Sequence, residues 1–229
     1  YSLNISGGGQ GDQVGRMMTA LEPLIKQEDP DWVVVTGDVN STLAGALTAK
    51  KLMMKVAHVE AGLRSADWSM PEEINRLVTD TVSDLLFAHS EEGVENLRRE
   101  GIEEERILQV GNIMIDSLDQ YRQAAKEFTP EQVVKKFAYS SNGFRASNFA
   151  VLTLHRPSNV DEPETLGTLI SSFLKIARQL PLLFPLHPRT EKRLRQYNLL
   201  SSLEDAPGLL LLRPLGYLEM LALTSRASI

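Results

Sequence analysis

Short runs of β-branched and aliphatic residues alternate with longer amphipathic stretches, and this rhythm predicts most of the elements. Trp32-Val33-Val34-Val35-Thr36 is an unbroken run that predicts a strand buried on both faces. Gly37-Asp38 and a helix from about residue 40 to 53 follow it. A second strand at 55–59 ends in Glu60-Ala61-Gly62, and Pro71 opens a helix running to about 82. A third strand is predicted at 85–88, then a Ser90-capped helix to about 100, then a fourth strand at 107–110 closed by Gly111-Asn112. Short connections between alternating strands and helices imply an α/β chain built on parallel, doubly wound sheet. Gly7-Gly8-Gly9-Gln10-Gly11 precedes a helix instead of following a strand, so a flexible leading loop is expected there.

The apolar rhythm weakens between residues 124 and 148, and Ser140-Ser141-Asn142-Gly143 has turn chemistry. The expected organisation is a first Rossmann-like domain at 1–123, a linker at 124–148 and a second domain at 149–229. In the second domain strands are predicted at 149–154, 182–186 and 208–212, and helices at 164–179, 190–197 and 217–223.

Composition narrows the chemistry. The 229 residues are 42% hydrophobic and 24% charged, enough apolar material for packed cores and against disorder. A formal net charge of −6 with no basic run argues against nucleic acid or an anionic membrane as partner. The chain has no cysteine, which excludes disulfides, thiolate catalysis, zinc–thiolate sites and iron–sulfur clusters. Apolar runs such as 180–186 fall far short of the roughly 20 residues that span a bilayer. The opening Tyr1-Ser2-Leu3-Asn4 lacks a basic n-region and an initiator Met, so a cytoplasmic location and a chain that starts inside a larger protein are expected.

Ligands of open parallel sheets bind at the carboxyl ends of strands. Those ends carry Asp38, Glu60, His155-Arg156 and His187, with Glu72 and Arg76 opening the helix after Pro71. Blander roles compete. Asp38 suits a helix cap, Glu72 is favoured by the dipole at a helix N-terminus, and His58 inside its strand reads as a core histidine with satisfied nitrogens. His155 and His187 each follow a strand and precede a proline; their spacing is not that of a metal helix, and no metal is expected. Neither a G-x-G-x-x-G nor a G-x-x-x-x-G-K-[ST] signature occurs, so no nicotinamide or P-loop nucleotide is supported. What remains is carboxylates for proton transfer and His/Arg groups suited to phosphate.

Together these segments resemble the non-hydrolysing UDP-N-acetylglucosamine 2-epimerase family. The resemblance rests on Val35-Thr36-Gly37-Asp38 with Asn40-Ser41-Thr42, His58-Val59-Glu60-Ala61-Gly62-Leu63-Arg64, Pro71-Glu72-Glu73-Ile74-Asn75-Arg76, Val110-Gly111-Asn112, Leu154-His155-Arg156-Pro157 and Pro185-Leu186-His187-Pro188. It implies a GT-B-like fold of two Rossmann-like domains and, without a cofactor, interconversion of UDP-GlcNAc and UDP-ManNAc by elimination and re-addition of UDP. It also implies a homodimer serving bacterial or archaeal surface polysaccharide. Asp38, Glu60 and Glu72 match the family's catalytic carboxylates, and His155 the histidine near the diphosphate. Arg76 and Arg156 lie in the same motifs as substrate-binding groups, and Leu215 and Met220 fall on the uridine-facing segment. Gln10 and His187 match positions of a second, allosteric nucleotide-sugar site, but Gly9 stands where regulated members tend to carry Arg, which argues against such activation. The family's first strand with its loop, and its Ser-Gly-Gly loop, have no counterpart, so a chain truncated at both ends is expected. Alternatives are a hydrolysing epimerase, a GT-B glycosyltransferase, and an inactive fragment that binds UDP-sugars.

Overall fold

The computed structural model describes residues 1–139, 144, 148–204 and 206–229. These divide into two compact units, Tyr1–Asp116 and Ser117–Ile229. The turn expected at Ser140-Ser141-Asn142-Gly143 lies outside the described residues.

The first unit opens on α1 (Gln10–Glu28) and continues through β1 (Trp32–Thr36), α2 (Asn40–Lys51), β2 (Lys55–Ala61), α3 (Pro71–Val82), β3 (Leu85–Ala88), α4 (Glu91–Arg99), β4 (Ile107–Gln109) and the start of α5 (Ile113–Lys126). Ahead of α1 the chain has no helix or strand, and Arg16 donates to the Gly7 carbonyl at 2.6 Å and to Asp12. The four strands are parallel and paired in chain order, β1-β2-β3-β4. Right-handed crossovers in that order put every connecting helix on one face. Val35, Val56, His58, Leu86, Ala88 and Ile107 point to that face and are buried. The opposite face carries Trp32, Val34 and Leu108, exposed by 37%, 61% and 42%. Of β1 only Val35 is buried in this chain, so the two-sided burial expected of the first strand is not seen. The strand lies at a sheet edge, and α1 packs on α2, not on the sheet.

The second unit takes in the rest of α5, then α6 (Pro130–Phe137), β5 (Ala150–Val151), α7 (Pro157–Val160), α8 (Pro163–Ala177), β6 (Leu182–Pro185), α9 (Pro188–Gln196), α10 (Leu200–Glu204), β7 (Leu209–Leu212) and α11 (Tyr217–Thr224). Its parallel sheet, β5-β6-β7, is covered on both faces. Leu182, Phe184 and Leu211 pack with Leu166 and Ile170 of α8 and Leu194 of α9 on one side. Leu183, Leu210 and Leu212 pack with Val133 and Val134 of α6 and Leu223 of α11 on the other. Part of the stretch expected as a linker is helical: Thr129 and Gln132 form a reciprocal capping box that starts α6. The change of unit lies earlier, within α5.

Candidate active site

In the first unit the carboxyl ends of β1 and β2 and the N-terminus of α3 meet at one edge of the sheet. The chain leaves β1 through Gly37, whose φ of +68° suits a residue without Cβ. Its N–H donates to the Val59 carbonyl at 3.1 Å, locking the turn onto β2. The register of β2 against β3 slips between Val59 and Ala61, and Glu60, at that bulge, has a φ of +71°. Such backbone is strained for a non-glycine residue and turns the side chain out of the alternation of the strand. Its Oε2 lies 3.7 Å from where a Cβ on Gly37 would stand, so Glu60 sits over the turn that carries Asp38. A cavity of about 280 Å³ opens beside it, lined by Phe87, His89, Val110 and Ile113 among others.

Asp38 does not cap α2; the N-cap is Val39, with no side-chain bond. Its Oδ2 instead accepts from Arg76 Nε at 3.0 Å and Nη2 at 2.5 Å, and its carbonyl accepts from Asn75 Nδ2 at 2.8 Å. Arg76 is raised above its ordinary range: burial would lower it, but bonds to Asp38 and Glu73 prevail. Glu72 stands half-exposed in the first turn of α3. Its neighbour Glu73 turns inward and is 2% exposed. Glu73 accepts from Ser65 N and Oγ, Ala66 N and Arg76 Nη1, at 2.9–3.0 Å. Burial would raise its carboxyl, yet these donors hold it down at about 2. Gln10 joins the same network at a remove, accepting from Asn40, which in turn takes a bond from Asn75.

Sequence motifs singled out neither Glu73 nor Asp80. Asp80 is fully buried and accepts from His58 Nδ1 at 2.6 Å, Gly62 N at 3.1 Å and Arg64 at 2.8 Å. Glu73, Arg76 and Asp80 recur at i, i+3 and i+7 along α3, so helical periodicity applied to charge would have found all three on one face. His58 is the satisfied core histidine that its strand position predicts, bonded at both nitrogens.

In the second unit Thr190 Oγ1 of α9 donates to the Leu154 carbonyl. This tie brings His155 and His187 side by side, ring centroids 5.6 Å apart. His187 caps α9, its Nδ1 accepting from Arg189 N at 3.1 Å, so its own proton sits on Nε2. Arg156 is the exposed residue ahead of α7. Arg189 is engaged with Asp161, which also takes a bond from Arg193 at 3.1 Å; Asp161 is held below the usual carboxylate range chiefly by Arg189. Leu215 packs against the Leu212–Leu223 side of the core, and Met220 is half-buried on α11. Among the described residues no group of three or more His, Asp or Glu side chains is placed to hold a metal, and no helix is long and apolar enough to cross a membrane.

The family model described as UDP-N-acetylglucosamine 2-epimerase matches residues 1–229. The chain belongs to this family. A UDP-N-acetylglucosamine 2-epimerase from Methanococcus maripaludis is 42% identical over 231 residues, covering 100% of the chain and 62% of the relative. The crystal structure of the Methanocaldococcus jannaschii enzyme in complex with UDP-GlcNAc and UDP is 42% identical, with a TM-score of 0.89 over 100% of this chain and 62% of that one. The family also reaches the Pseudomonas aeruginosa UDP-2,3-diacetamido-2,3-dideoxy-D-glucuronate 2-epimerase, 39% identical over 232 residues and covered to 60% of its length. The chain thus spans about three-fifths of the relatives it matches. Its two α/β units with parallel sheets are the Rossmann-like material of the epimerase fold.

Proposed function

We propose that this chain acts as a non-hydrolysing UDP-N-acetylglucosamine 2-epimerase, inverting C2 of UDP-GlcNAc to give UDP-ManNAc. The observation that carries this is three carboxylates at one sheet edge, Asp38, Glu60 and Glu72, in a chain matched to the family from end to end. The C2 proton is not acidified by a carbonyl, so the reaction needs C1–O cleavage and proton removal together, then a proton from the other face. One carboxylate takes the C2 proton as the C1–O bond breaks and UDP departs, leaving a glycal. A second carboxylic acid protonates C2 on the opposite face while a UDP oxygen re-forms the bond to C1. Nothing is consumed, so no cofactor is required.

His155 and Arg156 are the groups in this reading for charge developing on the diphosphate, Arg76 orients Asp38, and Leu215 and Met220 contact the uridine. The product would feed surface polysaccharide made from cytoplasmic nucleotide sugars, by a homodimer. A second reading keeps the C2 inversion and changes the sugar, as the name of the Pseudomonas relative suggests.

Proton NMR of UDP-GlcNAc with the protein in deuterium oxide tests the proposal. Loss of the C2 proton signal with new UDP-ManNAc resonances is expected, and Glu60→Gln or Glu72→Gln slows both by roughly 10²- to 10⁴-fold. Free N-acetylmannosamine would assign the hydrolysing reaction instead. A C2 proton retained in UDP-GlcNAc but exchanged in a 2,3-diacetamido uronate would favour the second reading.

A further inference from the structure

His58 is 1% exposed and lies on the helix-covered face of β2, two residues before Glu60. Its surroundings fix its protons. Nδ1 faces Asp80 Oδ1 at 2.6 Å and Nε2 faces the Gly37 carbonyl at 2.8 Å, both of them acceptors. Among the described residues the groups bonded to Asp80 are all donors: the ring, the Gly62 N–H and Arg64. The carboxylate has no proton to supply and the carbonyl cannot donate, so the ring donates from both nitrogens. Arg64 in turn pairs with Glu100, which closes the chain of charges at the surface.

Two contacts in this chain flank the candidate catalytic groups. Asp80 holds His58 on one side of Glu60 and Gly62 N–H on the other, spanning the bulge from beneath. The far end of the ring holds the carbonyl that immediately precedes Asp38, while the Gly37 N–H is held by Val59. We infer that His58 is a positioning residue: a doubly donating imidazolium ring, braced by Asp80, that sets the Gly37-Asp38 turn against the Glu60 bulge and so fixes the separation of the two carboxylates. It touches neither carboxylate and acts through backbone. Its consequence for catalysis rests on the roles given above to Asp38 and Glu60; the bonding itself does not.

The pair His58→Gln and His58→Asn separates this from plain core filling. Glutamine at 58 places its amide N–H₂ where Nε2 donates, keeping the Gly37 carbonyl and losing Asp80. Asparagine keeps the Asp80 end and loses Gly37. In ¹⁵N-labelled protein the histidine that disappears in both variants should show a proton on each ring nitrogen in the parent chain. The Gly37 amide should keep its hydrogen-exchange protection in His58→Gln and lose it in His58→Asn, with Val56 and Leu86 unchanged in both. For turnover of UDP-GlcNAc, His58→Asn should lower kcat on the order of a hundredfold at unchanged KM, with His58→Gln well above it. A ring with one unprotonated nitrogen, or equal loss of Gly37 protection in the two variants, overturns the inference. Absence of C2 exchange in the parent chain would sink the functional reading alone and leave the ring and amide results to decide this one.

Discussion

Glu72 and Glu73 are adjacent, chemically identical, and put to opposite uses. A step of one residue on a helix is about 100°, so one carboxyl faces out from α3 while the other is driven inward onto Ser65, Ala66 and Arg76. The depressed Glu73 carboxyl, at about 2 against an ordinary 4.5, makes it a source of stability with a definite pH window. Its contribution is complete above pH 4.5 and is lost as pH falls through 4.5 towards 2, because the unfolded chain takes up the proton first. The difference corresponds to roughly 3 kcal/mol. Glu73→Gln should therefore lower the melting temperature at pH 7 and flatten its fall between pH 5 and 2 relative to the parent. Equal acid slopes in the two proteins would show that the carboxyl is not held. Motif matching alone reached Glu72. The inward residue needed the helix phase, which becomes legible only once Arg76 and Asp80 are seen on the same face.

At the scale of elements, the strand ends were legible because turn residues punctuate them, and one of those turns is a packing constraint as well. Gly62 has a φ of +82°, and a Cβ there would stand 2.3 Å from the Gly93 carbonyl at the start of α4. The end of β2 and the first turn of α4 can approach only over a glycine. Gly62→Ala combines left-handed strain with a clash against backbone and should cost at least about 2 kcal/mol, measured by denaturant unfolding. A loss below 0.5 kcal/mol would mean that α4 shifts freely. Among the helices the apolar rhythm missed, α5, α6, α7 and α10, α6 was written in its cap: Thr129-Pro130-Glu131-Gln132 is the capping-box pattern with proline at the first helical position. Only Pro130, Val133 and Val134 are buried in it, too few to register as periodicity. Removing the cap by Thr129→Ala should cost about 1 kcal/mol in the same assay. The two faces of β1 were unreadable for a different reason. A short apolar run does not say which face of a strand is covered, and here Val35 is buried while Val34 is exposed.

For the molecule as a whole, the change of unit fell inside a helix, where composition gives no sign of it. Residues 113–126 contain neither glycine nor proline, yet the units part at Asp116 and Ser117. What separates the units is the ownership of the cores. Leu86, Ala88, Leu97 and Ile107 form a cluster wholly within the first unit, and Phe184, Leu186, Leu194 and Leu203 one wholly within the second. Cores that share no residue should yield separately to local damage. Phe184→Ala removes a fully buried ring and should cost about 3–5 kcal/mol, and Leu86→Ala about 2–5 kcal/mol. Hydrogen exchange distinguishes where each loss appears. Phe184→Ala should speed exchange at Leu183 and Leu211 and leave Val56 and Leu86 at their parent rates, and Leu86→Ala should do the reverse. Matching acceleration in both units from either substitution would mean that the two cores unfold as one cooperative body. Asp38, Glu60 and Glu72, the carboxylates proposed for proton transfer, would then draw their rigidity from the second unit as well as from α3.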